Sequence, residues 1–328
     1  MRKEKVFITD PLLSSIPKMA QKRFPKENDQ IEWMIANSGE KEELLKVIPC
    51  VNIIVVGRQQ ITRELIQRAD KAYFIQQCGM GYDNIDIAAA RSRNIVVATA
   101  GPAGVISVAE HTILLMLAVA KSLPLAHNST IKGDWLFPNL LGHVYEVYEK
   151  TLGIIGLGQI GTRVAVLAHA LGMKIQYYDP YRKSVSDLEF PIKFGSLDEL
   201  LVTSDFVSIH TILNEETRHM ISKDKLRMMK STAYLINTSR GEIVDEDALA
   251  DFLEEGRIAG AGLDVFGAHT EGPKRGSKIL SLPNVVLTPH LAGSTAEAFF
   301  RNYYVHSLEN IMRTVRKEAP LYIVRQGE

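Results

Sequence analysis

The sequence has 328 residues, which corresponds to about two domains of ordinary size. It is 46% hydrophobic and 23% charged, so it can form full-sized cores and shows no composition typical of disorder. The 38 basic residues balance the 38 acidic ones, so charge gives no reason to expect nucleic acid or an anionic membrane as the main partner.

Cysteine usage and the N-terminus bear on where the protein works. The two cysteines, Cys50 and Cys78, form neither a disulfide framework nor a CxxC metal motif, which favours a reducing, cytoplasmic location. No apolar signal-peptide region precedes the first predicted strand. The most apolar stretch, residues 113–120, is too short to span a bilayer and is expected to be a buried helix, so no membrane partner is predicted.

The first hundred residues alternate between two kinds of segment. Alternation of strands and helices predicts a parallel sheet covered on both faces. The predicted strands are residues 6–9, 51–56, 72–75 and 95–98, and the polar, helix-compatible segments are residues 12–23, 41–46, 62–68 and 86–91. The Gly101-Pro102 pair is a strong break that ends this first unit.

A long helix is predicted over residues 103–121. At 1.5 Å per residue it spans about 28 Å, enough to lead from one domain to the next. Residues 123–149 contain Pro124, Gly133, Pro138 and Gly142 and are expected to form a loop-rich connection. Trp135 within them is expected to pack between domains or subunits rather than to act in catalysis.

Residues 151–180 carry the most informative local pattern. A short apolar strand runs into Gly156-Leu157-Gly158-Gln159-Ile160-Gly161, a GxGxxG, then into a helix and a second strand that ends in Asp179. Gly156 permits the tight turn, Gly158 lets the backbone approach a pyrophosphate, and Gly161 lets helix and strand pack closely. Asp179 lies where a carboxylate would accept hydrogen bonds from an adenosine ribose. The pattern predicts a dinucleotide site.

Alternation of strands and helices continues after this motif. Strands are predicted at residues 206–210, 233–237, 259–263 and 285–288, and helices at residues 222–229 and 245–254. A final helical stretch, residues 295–316, is long enough to return to the first unit. The sequence therefore predicts an α/β protein with two doubly wound parallel-sheet domains, the first completed by the C-terminal segment.

Three polar residues follow predicted strands, where such sheets bind ligands. Arg240 could hold a carboxylate bidentately and polarise a neighbouring carbonyl, although an arginine after a strand can also be a surface ion-pair partner. Asp264 ends another strand. His290 is a candidate for proton transfer, because the ordinary histidine pKa of about 6.5 allows both directions near neutrality; a structural role is its alternative.

Taken in order, these motifs resemble the D-isomer-specific 2-hydroxyacid dehydrogenase family over nearly the whole chain. The motifs are residues 79–86 (GMGYDNID), 107–112 (SVAEHT), 156–161 (GLGQIG), 237–245 (NTSRGEIVD), 263–266 (LDVF) and 288–294 (TPHLAGS). The resemblance implies a Rossmann NAD-binding domain, residues 101–292, inserted into a flavodoxin-like substrate domain made of residues 1–100 and 293–328. It also implies a homodimer, with the helix 103–121 and the Trp135 region as contacts.

The resemblance also implies roles for individual residues. Arg240 orients the substrate carboxylate and ketone, while His290 donates and accepts the proton. The backbone N–H groups of Gly79, Met80 and Gly81 receive the carboxylate, and Asp264 contacts the nicotinamide carboxamide. Packing is the alternative role for Val108, His210, Thr211 and Thr238. The implied cofactor-binding residues are Val108, Gly156, Gly158, Gln159, Ile160, Gly161, Asp179, His210, Thr211, Thr238, Asp264 and Gly293.

One catalytic position departs from the family pattern. The family places a glutamate five residues after the aspartate of LDVF, just before a proline, where it holds the histidine. Here that position is His269, and the nearest match is Glu271-Gly272-Pro273. Glu271 is predicted to fill the role, because loop insertions are tolerated and the chemistry requires a carboxylate beside the histidine; His269 is the alternative.

The function these observations predict is reversible reduction of a 2-oxo acid to a D-2-hydroxy acid with NADH as hydride donor and no metal. Asp179 is expected to repel a 2′-phosphate and so to favour NAD over NADP. A basic substrate pocket could come from Arg58 or from Lys274 and Arg275, and the substrate itself is not identified. The alternative is an NAD(H)-sensing regulator of the corepressor type, which resembles the same family.

Overall fold

The computed structural model describes residues 3–181, 183, 185–267 and 272–325 and divides the chain into two compact units. The first unit comprises Met1–Gly104 and Thr295–Glu328, and the second is Val105–Ser294. The boundaries expected from the sequence lie after residue 100 and after residue 292.

The first unit is built on a five-stranded parallel sheet in the order β2-β1-β3-β4-β5. The strands are β1 (Glu4–Ile8), β2 (Ile31–Ile35), β3 (Ile53–Val56), β4 (Phe74–Gln77) and β5 (Val96–Ala98). Every residue of β3 and β4 is buried, as expected for strands covered on both faces. The α-helices of this unit are Ile16–Arg23, Pro25–Asn28, Lys41–Val47, Arg63–Gln67, Ile87–Ser92, Ala296–Phe299 and Leu308–Val315.

Strand β2 is absent from the sequence-based prediction. It is an edge strand in which only Ile31 is fully buried, so it lacks the apolar run of a central strand. The predicted helix 12–23 is also interrupted. Asp10 caps a short 3-10 helix, Pro11–Leu13, and the α-helix begins only at Ile16.

The C-terminal segment belongs to the first unit. It forms a nearly continuous helical stretch, with the π-helix Phe300–Ser307 between its two α-helices. Leu308, Ile311 and Met312 are fully buried in the same core cluster as strands β1 and β3. Burying each such side chain stabilises the fold by about 1.5–3 kcal/mol.

The second unit contains a seven-stranded parallel sheet in the order β12-β11-β10-β9-β6-β7-β8. Its strands are β6 (Thr151–Ile155), β7 (Lys174–Tyr178), β8 (Ile192–Phe194), β9 (Phe206–Ile209), β10 (Tyr234–Asn237), β11 (Gly260–Leu263) and β12 (Val285–Leu287). Its α-helices are Val105–Ala120, Leu123–Ile131, Phe137–Leu140, Gln159–Ala170, Leu197–Thr203, Lys223–Met228 and Glu246–Glu254. The predicted fold class, α/β with two doubly wound parallel sheets, is confirmed.

The expectation of a loop-rich connection over residues 123–149 is wrong in part. This stretch contains the helices Leu123–Ile131 and Phe137–Leu140. Pro124 and Pro138 lie in the first turn of these helices, where a proline is tolerated because its missing N–H has no intrahelical partner. Both prolines therefore mark helix starts rather than breaks.

The helical stretch Gly101–Ala120 is long and apolar enough to cross a membrane by length and composition alone, and 61% of its most apolar window is buried inside the protein. The core helix of a globular domain passes the same test. Leu115, Met116 and Val119 are buried in one core cluster with strands β6 and β10, so this helix forms part of the core of the second unit.

Candidate active site

The glycine-rich turn lies at the topological switch point of the second sheet. The chain proceeds from β6 to β7 and β8 on one side and then to β9 on the other, and ligands bind at the carboxyl ends of such a strand pair. Gly156 has φ +92°, and a Cβ there would come within 2.9 Å of the His210 carbonyl. A Cβ on Gly161 would overlap the carbonyl oxygen of Gly156, whereas Gly158 has no atom within 4 Å of that position. The structure therefore has the tight turn expected at Gly156, the close packing expected at Gly161 and the open space expected beside the backbone of Gly158.

A groove runs along this turn and the start of the helix Gln159–Ala170, which has Gly158 as its N-cap. The groove has a volume of about 630 Å³. It combines a helix N-terminus with two basic side chains, Arg163 and Lys183, an arrangement that suits a phosphate-bearing ligand. Its lining residues are Val105, Leu157, Gly158, Gln159, Thr162, Arg163, Val166 and Lys183.

Asp179 lies at the end of β7 and is only 7% exposed. Its Oδ2 accepts the backbone N–H of Leu157 at 3.0 Å, and its Oδ1 accepts that of Tyr181 at 3.0 Å. Lys183 Nζ is 3.5 Å from Oδ1. The carboxylate therefore stabilises the glycine-rich turn, and the Lys183 side chain offsets its charge.

The other predicted cofactor residues also follow strands of this sheet or lie beside them. His210 Nε2 is 2.7 Å from Ser208 Oγ, and burial lowers the pKa of His210 to about 3, so its ring is neutral near pH 7. The Thr211 carbonyl accepts a hydrogen bond from the Ser239 hydroxyl.

Three further predicted positions lie around the helix Val105–Ala120. Thr238 Oγ1 is 2.9 Å from Thr112 Oγ1. A Cβ on Gly293 would lie in ordinary contact with Val108, 3.7 Å from its Cγ2. Gln159 and Ile160 form the first turn of the helix Gln159–Ala170.

Arg240 follows β10 in a loop held by Asn237. The Asn237 side chain donates to the Arg240 carbonyl at 2.9 Å and accepts the Ser239 N–H at 3.0 Å. Arg240 Nη1 donates to the Ser239 carbonyl at 2.8 Å. A Cβ on Gly241 would overlap the backbone of Phe266, so the loops that follow β10 and β11 touch.

Asp264 follows β11 and has no exposed surface. Its Oδ1 accepts the Leu291 N–H at 2.8 Å and the Thr288 hydroxyl at 2.5 Å, and its Oδ2 accepts the Ala292 N–H at 2.8 Å. Burial alone would raise the pKa of Asp264, but hydrogen bonds from His111, Thr288 and the two backbone N–H groups lower it overall. The carboxylate is therefore ionised at neutral pH, and both of its oxygens accept hydrogen bonds.

This geometry shows a structural role for Asp264 beside the cofactor contact that the resemblance implies. The resemblance implies a direct contact with the nicotinamide carboxamide, yet both carboxylate oxygens point into the turn that follows β12. The buried carboxylate already accepts hydrogen bonds from His111, Thr288 and the two backbone N–H groups, so few of its roughly four acceptor sites are left for a ligand. In this structure Asp264 holds the turn that carries His290.

His290 is an exposed residue with φ +55°, a left-handed conformation that is uncommon for residues other than glycine. Its backbone N–H is shared between the carbonyls of Asp264 at 2.9 Å and Thr288 at 3.1 Å. Such backbone strain costs about 1–3 kcal/mol and persists only where surrounding contacts enforce it. Here Asp264 supplies those contacts, so the backbone at the histidine is held in this conformation.

His111 also belongs to this network, a role not predicted from the sequence. It lies on the helix Val105–Ala120, with Nε2 at 3.0 Å from Thr288 Oγ1 and 3.4 Å from Asp264 Oδ1. The available signal was the polar pair His111-Thr112 within a largely apolar helix. Both side chains face polar groups at the carboxyl edge of the sheet.

In the first unit, the predicted carboxylate-binding loop of Gly79, Met80 and Gly81 follows β4. Gln77 Nε2 donates to the Gly81 carbonyl at 2.8 Å and to Asn84 Oδ1 at 2.9 Å, which shapes the loop. Within the described part of the chain, none of the three loop N–H groups donates a hydrogen bond. They are therefore suited to bind an anion.

The predicted catalytic Glu271 and its alternative His269 lie outside the described residues. Lys274 and Arg275 are described and exposed. Among the residues with described positions, no group of three or more His, Cys, Asp or Glu side chains could hold a metal ion.

Comparison with known proteins gives the family of the chain. Residues 113–292 match the NAD-binding domain of the D-isomer specific 2-hydroxyacid dehydrogenases. The chain is 40% identical over 296 residues to a D-3-phosphoglycerate dehydrogenase of Methanocaldococcus jannaschii, with 90% of the chain aligned, and it spans about half (54%) of the length of that relative. It is 38% identical over 299 residues to a hydroxypyruvate reductase of Thermotoga maritima, covering 91% of the chain and 94% of the relative.

A solved structure agrees in fold. The D-lactate dehydrogenase of Aquifex aeolicus, complexed with NAD and lactic acid, aligns with a TM-score of 0.84 at 30% identity and covers 96% of both chains. The NAD-binding domain match and this relative bear out NAD(H) as the cofactor. The chain belongs to the D-isomer specific 2-hydroxyacid dehydrogenase family.

Proposed function

We propose that this protein is an NAD(H)-dependent oxidoreductase that interconverts a 2-oxo acid and a D-2-hydroxy acid. The single observation that carries the proposal is the strained backbone at His290, in a turn held by Asp264 at the carboxyl edge of a dinucleotide-binding sheet. Backbone strain of this kind clusters at active sites, where the surrounding contacts maintain it.

The residues around the glycine-rich turn fit a dinucleotide. The open backbone at Gly158 and the N-terminus of the helix Gln159–Ala170 suit a pyrophosphate, and Asp179 lies at the end of β7, where the adenosine ribose is expected. Bound NADH supplies the hydride for reduction. Lys183 beside Asp179 adds positive charge at the same end.

The protein's own groups cover the remaining chemistry. The Arg240 guanidinium binds the substrate carboxylate and polarises the carbonyl that is reduced. His290 gives a proton to the carbonyl oxygen during reduction and takes it back during oxidation. The amides of Gly79, Met80 and Gly81 provide further donors for the carboxylate.

Turnover is the direct test. The purified protein is assayed with NADH against a panel of 2-oxo acids, and the product is resolved by chiral chromatography. We expect oxidation of NADH with formation of the D-isomer. His290→Asn should lower kcat by on the order of 10²-fold or more while leaving the Kd for NADH unchanged, because a general acid is lost and not a cofactor contact. Formation of the L-isomer, or full activity of the variant, would contradict the proposal.

The same assay addresses the regulatory alternative. An NAD(H)-sensing protein of the corepressor type would bind NADH but would reduce none of the 2-oxo acids. The comparisons do not favour this alternative, since the named relatives are dehydrogenases and a reductase. Tight NADH binding without turnover across the whole panel would support it.

We also propose that the protein forms a homodimer and works in a reducing, cytoplasmic compartment. Between residues 114 and 148, several large apolar side chains are exposed, among them Ile131 at 71% and Trp135 at 75%. Exposed apolar groups in such number are typical of a protein contact. Light scattering should show a dimer for the wild type and a monomer for Trp135→Glu. Cys50 and Cys78 are both free thiols, as expected of a reducing compartment.

A further inference from the structure

Strand β4 ends in two buried glutamines, Gln76 and Gln77, whose exposed fractions are 0% and 5%. Successive side chains of a strand point to opposite faces of its sheet, so the two amides have different neighbours. Gln76 Nε2 donates to the Gln77 carbonyl at 2.8 Å and lies 3.4 Å from the buried Ser307 hydroxyl. The Gln77 side chain instead contacts the loop that follows β4. A buried amide is costly unless it is hydrogen-bonded, so these neighbours indicate what Gln77 does.

The Gln77 side chain spans this loop, residues 79–81, from its start to its end. Its Oε1 accepts the N–H of Cys78 at 3.1 Å, immediately before the loop. Its Nε2 donates to the carbonyl of Gly81, the last residue of the loop, at 2.8 Å. One side chain therefore fixes the distance between the two ends of the loop.

Gln77 has no donor left for a ligand. A side-chain amide carries two N–H donors, and those of Gln77 go to the Gly81 carbonyl at 2.8 Å and to Asn84 Oδ1 at 2.9 Å. Since the side chain is also buried, Gln77 acts on a ligand only through the backbone of the loop.

Asn84 anchors Gln77 to the loop that follows β3. Its Nδ2 donates to the Gln59 carbonyl at 2.9 Å and to the Gly57 carbonyl at 3.4 Å. Its own carbonyl accepts the Ile61 N–H at 2.7 Å. The loop after β4 is therefore held against a second strand end and not by one flexible side chain alone.

The carbonyl groups at both ends of the loop are paired, which directs its N–H groups. The Gly79 carbonyl accepts the Ala100 N–H at 3.0 Å, and the Gly81 carbonyl accepts Gln77 Nε2. In a planar trans peptide the C=O and the following N–H point in opposite directions, so the Met80 N–H points away from Ala100. As noted above, the three loop N–H groups donate no hydrogen bond in the described part of the chain. Such amides are suited to receive an anion.

We propose that Gln77 is a positioning residue for the substrate carboxylate, because it holds the amides of Gly79, Met80 and Gly81 in the arrangement that receives this group. The inference rests on the proposed function, in which these amides bind the carboxylate next to the ketone. Amides that are ordered before the substrate arrives bind it without a further ordering cost. Gln77 should therefore affect substrate affinity more than the chemical step.

The first test is Gln77→Met, which keeps the length of the side chain and removes its three hydrogen bonds. With the 2-oxo acid of the panel that is reduced fastest, KM should rise about tenfold, while kcat stays within about threefold of the wild type. The reason is that the carboxylate is bound equally in the ground state and in the transition state. The Kd for NADH should stay within about twofold, because Gln77 makes no cofactor contact in the proposed function. An unchanged KM, or a fall in kcat alone, would overturn the inference.

Gln176→Met is the matched control. Gln176 is a buried glutamine of β7, 7% exposed, and its Nε2 donates to Thr203 Oγ1 at 2.7 Å and to Ser204 Oγ at 2.9 Å. Its substitution should lower the free energy of unfolding without raising KM. Gln77→Asn covers the case in which Gln77→Met is unstable. It keeps the amide on a side chain that is too short to reach both ends of the loop, so KM should rise by about two- to fivefold, and a KM equal to that of the wild type would count against the inference.

Oxamate, an analogue of a 2-oxo acid that is not reduced, separates this inference from the proposed function. Calorimetric titration into the protein–NADH complex should give a Kd about tenfold higher for Gln77→Met than for the wild type. If 2-oxo acids are reduced and the variant matches the wild type in KM and in oxamate affinity, the inference fails and the proposed function stands. If no 2-oxo acid is reduced, the proposed function fails. The titration then decides the inference alone, since equal affinity, or no binding to the wild type, would overturn it.

Discussion

Asp264 holds His290 through its backbone carbonyl and the two residues after His290 through its side chain. The His290 N–H donates to the Asp264 carbonyl at 2.9 Å, and the Asp264 carboxylate accepts the N–H groups of the next two residues, Leu291 and Ala292, at 2.8 Å each. The end of β11 therefore determines the conformation of the loop that follows β12. His290 is exposed while the group that positions it is fully buried.

Asp264→Asn tests whether this link positions the histidine. The amide replaces one acceptor oxygen with a donor, so one backbone N–H of the turn loses its partner. We expect a loss of about 1–3 kcal/mol in the free energy of unfolding and a fall in kcat of on the order of 10²-fold, since small misplacements of catalytic groups are costly. Chemical denaturation and steady-state kinetics measure the two effects.

The cofactor affinity of the same variant separates the two roles of Asp264. A positioning role leaves the Kd for NADH within about twofold of the wild type, whereas a direct contact with the nicotinamide would raise it by about tenfold, the size of a lost charge-assisted hydrogen bond. Asp251→Asn is a suitable control, because the Asp251 side chain is 42% exposed and pairs with Lys278 at 2.8 Å. A normal kcat in Asp264→Asn would show that the hydrogen bonds between Asp264 and the turn are not needed for activity.

The stabilisation of this turn by Asp264 should also depend on pH. The folded-state pKa of Asp264 is lowered from its ordinary value of 3.8, so its contribution is fully present above about that pH and is lost as the pH falls through the folded-state pKa. The difference in free energy of unfolding between wild type and Asp264→Asn should therefore be constant near neutrality and shrink in acid. Urea denaturation of the apoprotein from pH 7 to pH 3 measures it. A difference that stays the same throughout would mean that ionisation of Asp264 does not stabilise the turn.

His111→Phe tests whether His111 supports the turn through Thr288. The substitution removes the contact to Thr288 but keeps a ring in place. We expect a loss of about 1 kcal/mol in stability and a smaller fall in kcat than for Asp264→Asn. In the double variant the two stability losses should not add, because both residues act on one network. Simple additivity would show that His111 acts independently of Asp264.

Two glycines of the dinucleotide turn should respond differently to alanine. A Cβ at Gly161 would overlap the Gly156 carbonyl, whereas Gly158 has open space around it. Gly161→Ala should therefore lower the melting temperature strongly. Gly158→Ala should fold like the wild type yet bind NADH about tenfold or more weakly, because the methyl group obstructs the approach of the pyrophosphate to the backbone. Thermal unfolding and fluorescence titration separate the effects, and unchanged NADH binding by Gly158→Ala would place the pyrophosphate elsewhere.

The sequence predicted the local part of this site well. Strand β6, the glycine-rich turn and the helix after it depend on neighbouring residues, namely a buried apolar run, three glycines and a helical repeat. The side-chain direction of Asp264 was not predictable in this way. Its partners Thr288 and Leu291 lie 24 and 27 residues away, and His111 reaches Thr288 across 177 residues. Only the folded sheet brings these strand ends together.

The arrangement around Asp179 qualifies the expected preference for NAD over NADP. Lys183 Nζ lies 3.5 Å from Asp179 Oδ1 and the lysine side chain is 40% exposed, so it partly offsets the carboxylate that would repel a 2′-phosphate. Lys183→Gln should raise the Kd for NADPH about two- to fivefold more than that for NADH, the size expected of a partly exposed charge pair. Fluorescence titration with both cofactors measures this. Lys174→Gln, at the exposed start of the same strand β7, should change neither, and a Lys183→Gln variant with unchanged or tighter NADPH binding would leave Asp179 alone in control of cofactor choice.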